Sequence, residues 1–251
     1  VMLSMAYGGV RTPLYAIESI TDAGGAVVAL PPRPQPAQAL QPQIAYLLQN
    51  ILSDDNARAD QFGVNGPLTI QGLPTSNFVA AKTGTTDQNR DLWTMGFTRN
   101  LVVGVWLGRP DNQPTFVQGG GYRNVAPLWN QVMTAGLRAS SPSQPFTNPG
   151  GVVEIQVCAA TGTLPPPGCR SLRTELFLQT QPPPGADQAF VQEVEIDTWT
   201  GLRANQFCPD NKIGATFVNI TDAAALQWLN SPAGAAVAQQ LGIPAGAVQP
   251  I

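Results

Sequence analysis

The chain has 251 residues and a formal net charge of −3, and only 12% of its residues are charged whereas 43% are hydrophobic. This length allows one or two domains with their own cores, while the acidic balance and the presence of just two lysines argue against non-specific nucleic-acid binding, which needs a basic face. The sequence has no histidine, which excludes Ser-His-Asp and Cys-His catalysis and every imidazole metal site.

The amino-terminal segment begins in the middle of a pattern. Residues Val1–Tyr7 have the apolar content of the last turns of a buried helix and run directly into Gly8 and Gly9. No stretch approaches the roughly 18–20 apolar residues of a membrane-spanning helix, and no charged start precedes an apolar run as in a signal peptide. We therefore expect further sequence upstream of Val1, and any membrane anchor would lie there.

The part between the first two proline-rich segments has the most regular pattern. Apolar residues at helical spacing predict an amphipathic helix over Gln41–Ser53. Strands and a second helix are predicted further on, at Asn77–Thr83, Asp91–Thr98, Leu101–Gly108 and Asn124–Ala139. Only Arg99 and Asn100 separate the last two strands, which is typical of a tight hairpin. The order predicts an antiparallel meander covered by a C-terminal helix.

Proline-rich segments at 31–36, 141–145 and 182–185 are predicted to be linkers or surface loops, because proline runs favour extended backbone. The second of them divides the chain into 1–140 and 141–251. Beyond it the pattern changes to shorter elements, with strands predicted at Val152–Cys158, Glu175–Leu178 and Ala189–Ile196 and helices near Asp222–Leu229 and Ala233–Leu241. The predicted fold class is α+β.

The sharpest local feature is the K-T-G motif at Lys82-Thr83-Gly84, which Thr85 and Thr86 follow at the end of an apolar strand. An ammonium group beside threonine hydroxyls makes a compact receptor for a carboxylate. Gly84 has no side chain to block a ligand along the strand edge, where an extended peptide could pair as an added strand. By itself, however, a tripeptide of this kind is common on protein surfaces.

The motif and its surroundings resemble the back half of the transpeptidase domain of penicillin-binding proteins, and are most similar to the bifunctional, glycosyltransferase-linked class (class A). The resemblance is carried, in collinear order, by Gly8–Ile17, Tyr46–Asp54, Ala81–Asp87, Arg90–Thr98, Leu101–Gly108 and Ala126–Trp129. It implies that 1–140 is the C-terminal portion of this domain, with an antiparallel sheet covered by helices as in serine β-lactamases and transpeptidases, but incomplete. The part 141–251 would be an accessory β-rich tail with short helices.

The resemblance also implies roles by position. Lys82 and the backbone N–H of Thr85 would be catalytic, the first by assisting proton movement around a serine and the second as an oxyanion donor. Thr83, Gly84, Thr85 and Thr86 would bind the substrate, and the hydroxyls of Thr83 and Thr85 would hold the carboxylate of a peptidoglycan stem peptide or of a β-lactam. No metal and no organic cofactor are required. The implied place of action is the extracytoplasmic face of the bacterial plasma membrane, with membrane contact only through an N-terminal anchor upstream of this chain.

The sequence departs from the family in its other motifs. The family uses S-x-x-K, S-x-N and K-T-G in this order, yet Val79 and Pro209 stand three residues before the two lysines. The run Ser53-Asp54-Asp55-Asn56 is only superficially similar to S-x-N, and we interpret it as a turn at a helix end. We therefore expect an intact serine-type D,D-transpeptidase of which this chain, alone, is inactive. A non-catalytic cell-wall-binding module and a relative of serine β-lactamases or D,D-carboxypeptidases stay as alternatives.

Three cysteines mark the second half of the chain. Cys158 and Cys169 bracket a short loop, which favours a disulfide in an extracytoplasmic protein. Free thiols stay as an alternative, as does a metal site that adds Cys208 and the carboxylate of Asp210. The sequence around the first two cysteines is similar to tails that follow such transpeptidase domains.

Two further patterns are assigned structural roles. Glu193, Glu195 and Asp197 alternate with apolar residues, and we interpret them as a solvated strand face rather than a glycosidase pair or a calcium site. Trp93 and Trp106 are predicted to lie in the core rather than on a sugar-stacking surface.

Overall fold

The computed structural model describes residues 1–240 except 29, 31, 75, 141, 142, 168, 170, 190, 201, 205, 206, 208–211, 219 and 221. Contacts divide the chain into a first unit, Val1–Gly150, and a second unit, Gly151–Ile251. Both units mix helices with small antiparallel sheets, so the predicted α+β class is confirmed. In the described part of the chain, no helix has both the length and the apolar character that crossing a bilayer requires.

The first unit is built around a three-stranded antiparallel sheet of Ala80–Thr85, Asp91–Phe97 and Val102–Gly108, which lie side by side in this order. Its helices are α1 (Met2–Ala6), α2 (Pro42–Ser53), α3 (Ala59–Phe62), α4 (Gly120–Asn124) and α5 (Ala126–Ala139). Its strands are β1 (Val10–Arg11), β2 (Ile20–Thr21), β3 (Val27–Val28), β4 (Ala37–Gln38), β5 (Ala80–Thr85), β6 (Asp91–Phe97) and β7 (Val102–Gly108). The predicted meander with a covering helix is therefore confirmed.

Side-chain alternation gives this sheet two buried faces at its Ala80 end. Ala81 and Val103 pack with Trp129 and Met133 of α5 in one cluster. On the opposite face, Phe97 belongs to a second cluster with residues of α1. The clusters place the sheet between α5 on one side and α1 on the other.

The beginning of β5 differs from the prediction. The strand was expected at Asn77–Thr83, but Asn77 has a φ of 63°, which is left-handed backbone and cannot belong to a strand. Gly84, conversely, does not end the strand, since the pairing with β6 continues to Thr85. The glycine-rich helix α4 was not predicted, because residues Gly119–Gly121 lack a helical apolar pattern.

The segment between residue 142 and Gly150 belongs to the first unit. Phe146 is 2% exposed and contacts the Phe97 ring edge-on at 5.8 Å between centroids. Asn77 and Phe146 exchange two hydrogen bonds, from Phe146 N to Asn77 O (2.9 Å) and from Asn77 Nδ2 to Phe146 O (3.0 Å). By contacts the division thus falls between Gly150 and Gly151, whereas the functional division at 140 and 141 stays a prediction.

The second unit contains two hairpins and two helices. Strand β8 (Val152–Cys158) pairs with β9 (Leu172–Leu178), and β10 (Val191–Asp197) pairs with β11 (Lys212–Val218). Helices α6 (Ala223–Leu229) and α7 (Pro232–Gln240) follow. Strand β11 was not predicted, because apolar and polar residues alternate only weakly in it and Gly214 interrupts the pattern. Exposed Glu195 pairs with Lys212 at 3.2 Å, in agreement with a solvated strand face.

A disulfide closes the β8–β9 connection. Cys158 and Cys169 are bonded, with Cα atoms 5.9 Å apart. The alternative metal site needs Cys208 and Asp210, which lie outside the described residues.

Removal of the disulfide is expected to destabilise the second unit. Because the cross-link spans a sequence separation of 11, the double change Cys158→Ser/Cys169→Ser should lower the free energy of unfolding by about 3 kcal/mol through the unfolded state. Urea denaturation with and without reductant measures this loss. Cys208→Ser is the control, and equal stability of the double variant and the control would contradict the prediction.

Candidate functional site

The K-T-G residues lie on β5, at one edge of the described three-stranded sheet. Lys82 is paired with Met95 and Gly84 with Trp93 of β6. The motif is therefore held by a regular antiparallel ladder, with the Trp93 segment as its neighbour, and not on a loop.

The backbone of β5 alternates between the ladder and the outer edge. The Ala81 carbonyl oxygen faces outward, since it lies 3.5 Å from Nη1 of Arg58. Successive residues of a strand point their backbone groups in opposite directions. The N–H and C=O groups of Thr83 and Thr85 consequently also face the outer edge, where an added strand would pair.

The side chains of the motif divide between the two faces of the sheet. Alternation places Thr83 and Thr85 on one face and Lys82 on the other. Lys82 is exposed, and its Nζ donates to the Thr83 carbonyl oxygen at 2.7 Å. The ammonium group therefore lies at the outer edge of β5, next to the outward-facing carbonyl group of Thr83.

The side-chain hydroxyls of Thr85 and Thr86, which were also predicted to bind substrate, have different partners. Thr85 Oγ1 accepts a hydrogen bond from the backbone N–H of Gly121 in α4 (3.0 Å). A Cβ atom at Gly121 would lie 2.7 Å from the Gly84 carbonyl oxygen, so the missing side chain lets α4 approach β5. Thr86 lies beyond β5 and its Oγ1 accepts from the Asp91 N–H at 2.8 Å. The structure therefore brings Lys82, Thr83 and Thr85 together at the edge and assigns Thr86 to the following turn.

A groove of about 480 Å³ runs along this edge. Its floor and rim come from β5 and from the end of α2 with the following turn, and the lining includes Leu52, Asp54, Arg58, Lys82, Thr83 and Thr85. An extended ligand could lie in it beside the outward backbone groups of β5.

The Ser53–Asn56 run lies at the end of α2 and continues into a turn, as interpreted from the sequence. Ser53 is 2% exposed, and its hydroxyl accepts from Asn77 N at 2.9 Å and donates to Asn50 O at 3.1 Å. Asp54 Oδ1 accepts from the backbone N–H groups of Asn56 (2.9 Å) and Ala57 (3.2 Å). These groups stabilise the end of α2.

A polar cluster behind the edge was missed by sequence reasoning. Asp55, which is 3% exposed, forms an ion pair with Nη2 of Arg58. Its other oxygen accepts from Thr69 Oγ1 at 2.6 Å, and Arg58 Nη1 donates to the Leu52 carbonyl oxygen at 3.0 Å. The only sequence signal was the spacing of opposite charges at Asp55 and Arg58.

The prediction that Trp93 and Trp106 lie in the core is wrong. They are 40% and 47% exposed, with ring centroids 6.3 Å apart, and Trp106 Nε1 donates to Asp91 Oδ1 at 2.9 Å. On their face of the sheet the buried cluster contains Phe97, two residues beyond Met95. The covering helices therefore stop short of both tryptophans.

Comparison with known proteins identifies relatives of this chain. Residues 148–182 match the family model described as penicillin-binding protein 1A, C-terminal domain. Penicillin-binding protein 1C of Escherichia coli K12 is 30% identical over 174 residues, which are 66% of this chain and 21% of that protein. Penicillin-binding protein 1B of Vibrio cholerae is 35% identical over 116 residues, or 46% of this chain and 14% of that protein.

The fold is shared with a solved structure of the same group. Penicillin-binding protein 1A from Haemophilus influenzae superposes with a TM-score of 0.53 at 21% identity, over 72% of this chain and 31% of that one. The chain thus spans only a minor part of the relatives it matches. The chain is thus similar in sequence and in fold to class A penicillin-binding proteins, and it corresponds to their C-terminal part.

Proposed function

We propose that the first unit supplies the substrate-binding edge of a peptidoglycan D,D-transpeptidase. The observation that carries the proposal is the position of Lys82, Thr83 and Thr85 on a sheet edge, beside a groove of about 480 Å³ that these residues line. An ammonium and two hydroxyls there can bind the carboxylate of a wall peptide or of a β-lactam. The outward N–H of Thr85 can donate to the oxyanion that forms during acyl transfer.

In this reaction a serine outside the chain attacks the carbonyl of the penultimate D-alanine of a stem peptide. The terminal D-alanine leaves with a proton on its amine, and the acyl group forms an ester with the serine. The amine of a neighbouring stem peptide then attacks the ester, and the serine regains its proton. Lys82, next to the edge, maintains a positive potential and assists these proton transfers.

The proposed place of action is the extracytoplasmic side of the plasma membrane. The Cys158–Cys169 disulfide supports it, because such bonds persist in oxidising compartments. The second unit, with the short segment before it, would be an accessory tail of the enzyme.

Replacement of the Thr83 hydroxyl tests the proposal. Thr83→Val keeps the β-branched shape that β5 favours but removes the hydroxyl. Because a hydrogen bond to a charged group contributes about 1.5–3 kcal/mol, we expect about 10-fold to 100-fold weaker binding of a peptide that ends in D-Ala-D-Ala. Nuclear magnetic resonance titration of the chain, followed at the amides of β5, measures the affinity.

Thr86→Val is the matched control, since its hydroxyl contacts Asp91 in the turn. It should leave the peptide affinity within about twofold, while it lowers stability by about 1 kcal/mol. Covalent labelling of this chain alone by fluorescent penicillin would contradict the proposed position of the serine. Equal peptide affinities of the Thr83→Val and Thr86→Val variants would contradict the proposed role of the edge.

A non-catalytic cell-wall-binding function is the second candidate, because neither lysine of this chain is preceded by the serine of an S-x-x-K motif. It predicts binding of insoluble peptidoglycan that the Thr83→Val change does not weaken. A pull-down with purified peptidoglycan, done with both variants, separates the two functions.

A further inference from the structure

The two hairpins of the second unit repeat one sequence pattern. Residues 152–169 of the first hairpin align without a gap on residues 191–208 of the second. Self-similarity at a fixed distance along a chain is the sequence signature of a structural repeat. The identical pairs are Val152 and Val191, Glu154 and Glu193, Thr161 and Thr200, Gly162 and Gly201, and Cys169 and Cys208.

The backbone repeats as well, in the turn that follows the first strand of each hairpin. In the first hairpin the N–H of Cys158 donates to the carbonyl oxygen of Thr163 at 2.9 Å. In the second hairpin the aligned residues, Asp197 and Leu202, form the same hydrogen bond at 2.9 Å. The two hairpins are therefore two copies of one structural unit, and their turns can be compared position by position.

A proline-rich segment covers the turn of the first hairpin. The carbonyl oxygen of Pro184 accepts from the backbone N–H of Leu164 at 2.9 Å, and the neighbouring Pro183 is buried. Thr163, in the turn itself, is only 4% exposed. Three successive prolines favour extended backbone without internal hydrogen bonds, so their carbonyl oxygens are free to accept from another segment.

The aligned turn of the second hairpin is open to solvent. Leu202 stands where the first hairpin has Thr163, and it is 69% exposed. Trp199 stands where the first hairpin has Ala160, and it is 84% exposed. Asp197 Oδ1 accepts from the N–H of Trp199 at 3.0 Å, which stabilises the backbone that carries this side chain. Two large apolar side chains thus lie exposed where the first hairpin is covered.

A backbone donor accompanies these side chains. Arg203 opposes Ile196 in an isolated antiparallel bridge, and the next residue, Ala204, donates to the Glu195 carbonyl oxygen at 2.7 Å. Because successive residues of a strand direct their backbone groups in opposite directions, the Arg203 N–H points away from β10. It is the aligned counterpart of the Leu164 N–H, and no residue in the described part of the chain accepts from it.

The chain that follows the second hairpin does not supply a cover of the same kind. The first hairpin is followed by Pro182, Pro183 and Pro184, whereas residues 219–222 after β11 contain no proline and lead into α6 at Ala223. An occupant like that of the first hairpin must therefore come from another protein.

We propose that the turn of the second hairpin binds an extended, proline-rich segment of a partner protein. Trp199 and Leu202 supply the apolar contact, and the Arg203 N–H donates to a carbonyl oxygen of the bound segment. Exposed aromatic side chains are the usual receptors of proline-rich segments, which lose little conformational entropy on binding. The inference concerns the second unit alone and does not depend on the proposed transpeptidase function.

The test uses the segment that covers the first hairpin as a free peptide. The probe is residues 181–185 as acetyl-Gln-Pro-Pro-Pro-Gly-amide, titrated against the full chain by nuclear magnetic resonance and followed at the Arg203 amide and the Trp199 indole. We expect saturable binding and a downfield shift of the Arg203 amide proton, as a new hydrogen bond forms. A peptide with alanine in place of the three prolines should bind at least about 10-fold more weakly.

Two tryptophan variants locate the binding site. Trp199→Ala introduces the residue of the first hairpin and should weaken binding of the proline peptide at least about 10-fold. The exposure of Trp199 makes a folding defect in this variant unexpected. Trp228→Ala is the matched control, because Trp228 is 50% exposed on α6, and it should leave the affinity within about twofold.

Four results overturn the inference. The first is the absence of saturable binding by the unaltered chain, and the second is an equal loss of affinity in Trp199→Ala and Trp228→Ala. The third is tighter binding of a chitin oligosaccharide than of the proline peptide at Trp199, which would indicate a sugar-stacking site. The fourth is self-association that Trp199→Ala abolishes, measured by analytical ultracentrifugation, since the occupant would then be a second copy of this chain.

Discussion

Truncation of Trp129 is expected to destabilise the first unit by about 4 kcal/mol, the usual cost of a fully buried aromatic side chain replaced by alanine. Trp129 has no exposed surface and lies in the cluster that joins α5 to the sheet. Its Nε1 also donates to the Val103 carbonyl oxygen at 3.2 Å. Trp129→Ala therefore leaves a cavity and removes this hydrogen bond.

Urea denaturation followed by far-ultraviolet circular dichroism measures this loss. Leu128→Ala is the control, since Leu128 precedes Trp129 in the same helix but is 51% exposed, and it should change stability by less than about 1 kcal/mol. Trp129→Phe keeps a ring in place if the alanine variant does not fold, and should still lose the bond to Val103. Similar losses for Leu128→Ala and Trp129→Ala would contradict the assignment of the core.

Removal of the Asp55 carboxylate should cost about 3 kcal/mol of stability. The change Asp55→Ala leaves the partly buried guanidinium of Arg58 without its partner, and a buried pair that loses one member is strongly destabilising. It also leaves the Thr69 hydroxyl without its acceptor. The same denaturation experiment measures the effect.

A double variant tests whether the unpaired charge of Arg58 causes the loss of stability. In Asp55→Ala/Arg58→Met both charges are absent, so much of the lost stability should return. Asp60→Ala removes an exposed carboxylate from α3 and is expected to alter stability by at most about 0.5 kcal/mol. A double variant no more stable than Asp55→Ala would show that the charge on Arg58 is not the cause.

The main helices and the central strands follow from local pattern. The apolar spacing of residues 44–52 predicts α2, and the structure begins that helix at Pro42, a favourable first helical position. The short Arg99-Asn100 connection predicts the β6–β7 hairpin, whose register pairs Phe97 with Val102. These signals lie within a few residues of each other, so they do not depend on the rest of the chain.

Exposure of the tryptophans could not be predicted in this way. Trp93 and Phe97 share a face of β6, yet Phe97 is fully buried and Trp93 is 40% exposed. Alternation assigns the face, but the extent of the covering helices decides how much of that face is buried. A pattern of period two contains no information on where the cover ends.

The candidate site could likewise be predicted from the sequence only in part. The placement of the Lys82–Thr85 motif on an edge strand could be predicted from its composition and from its resemblance to penicillin-binding proteins. That Thr86 belongs to the turn depends on the close approach of Asp91 across the hairpin. The position of Arg58 depends on Asp55, Thr69 and Ala81, which come from three separate segments.

The amino-acid sequence by itself determined the α+β class, the main helices and strands, the position of the K-T-G motif and the likeness to class A penicillin-binding proteins. Only the tertiary structure decided which hydroxyls face the groove, how far the helices cover the sheet, and that the partly buried Arg58 contacts the Ala81 carbonyl oxygen at the outer edge of β5. The physical reason is the range of the interactions. Periodicity and turn chemistry act between near neighbours in the chain, whereas burial and ion pairing join segments that meet only after folding.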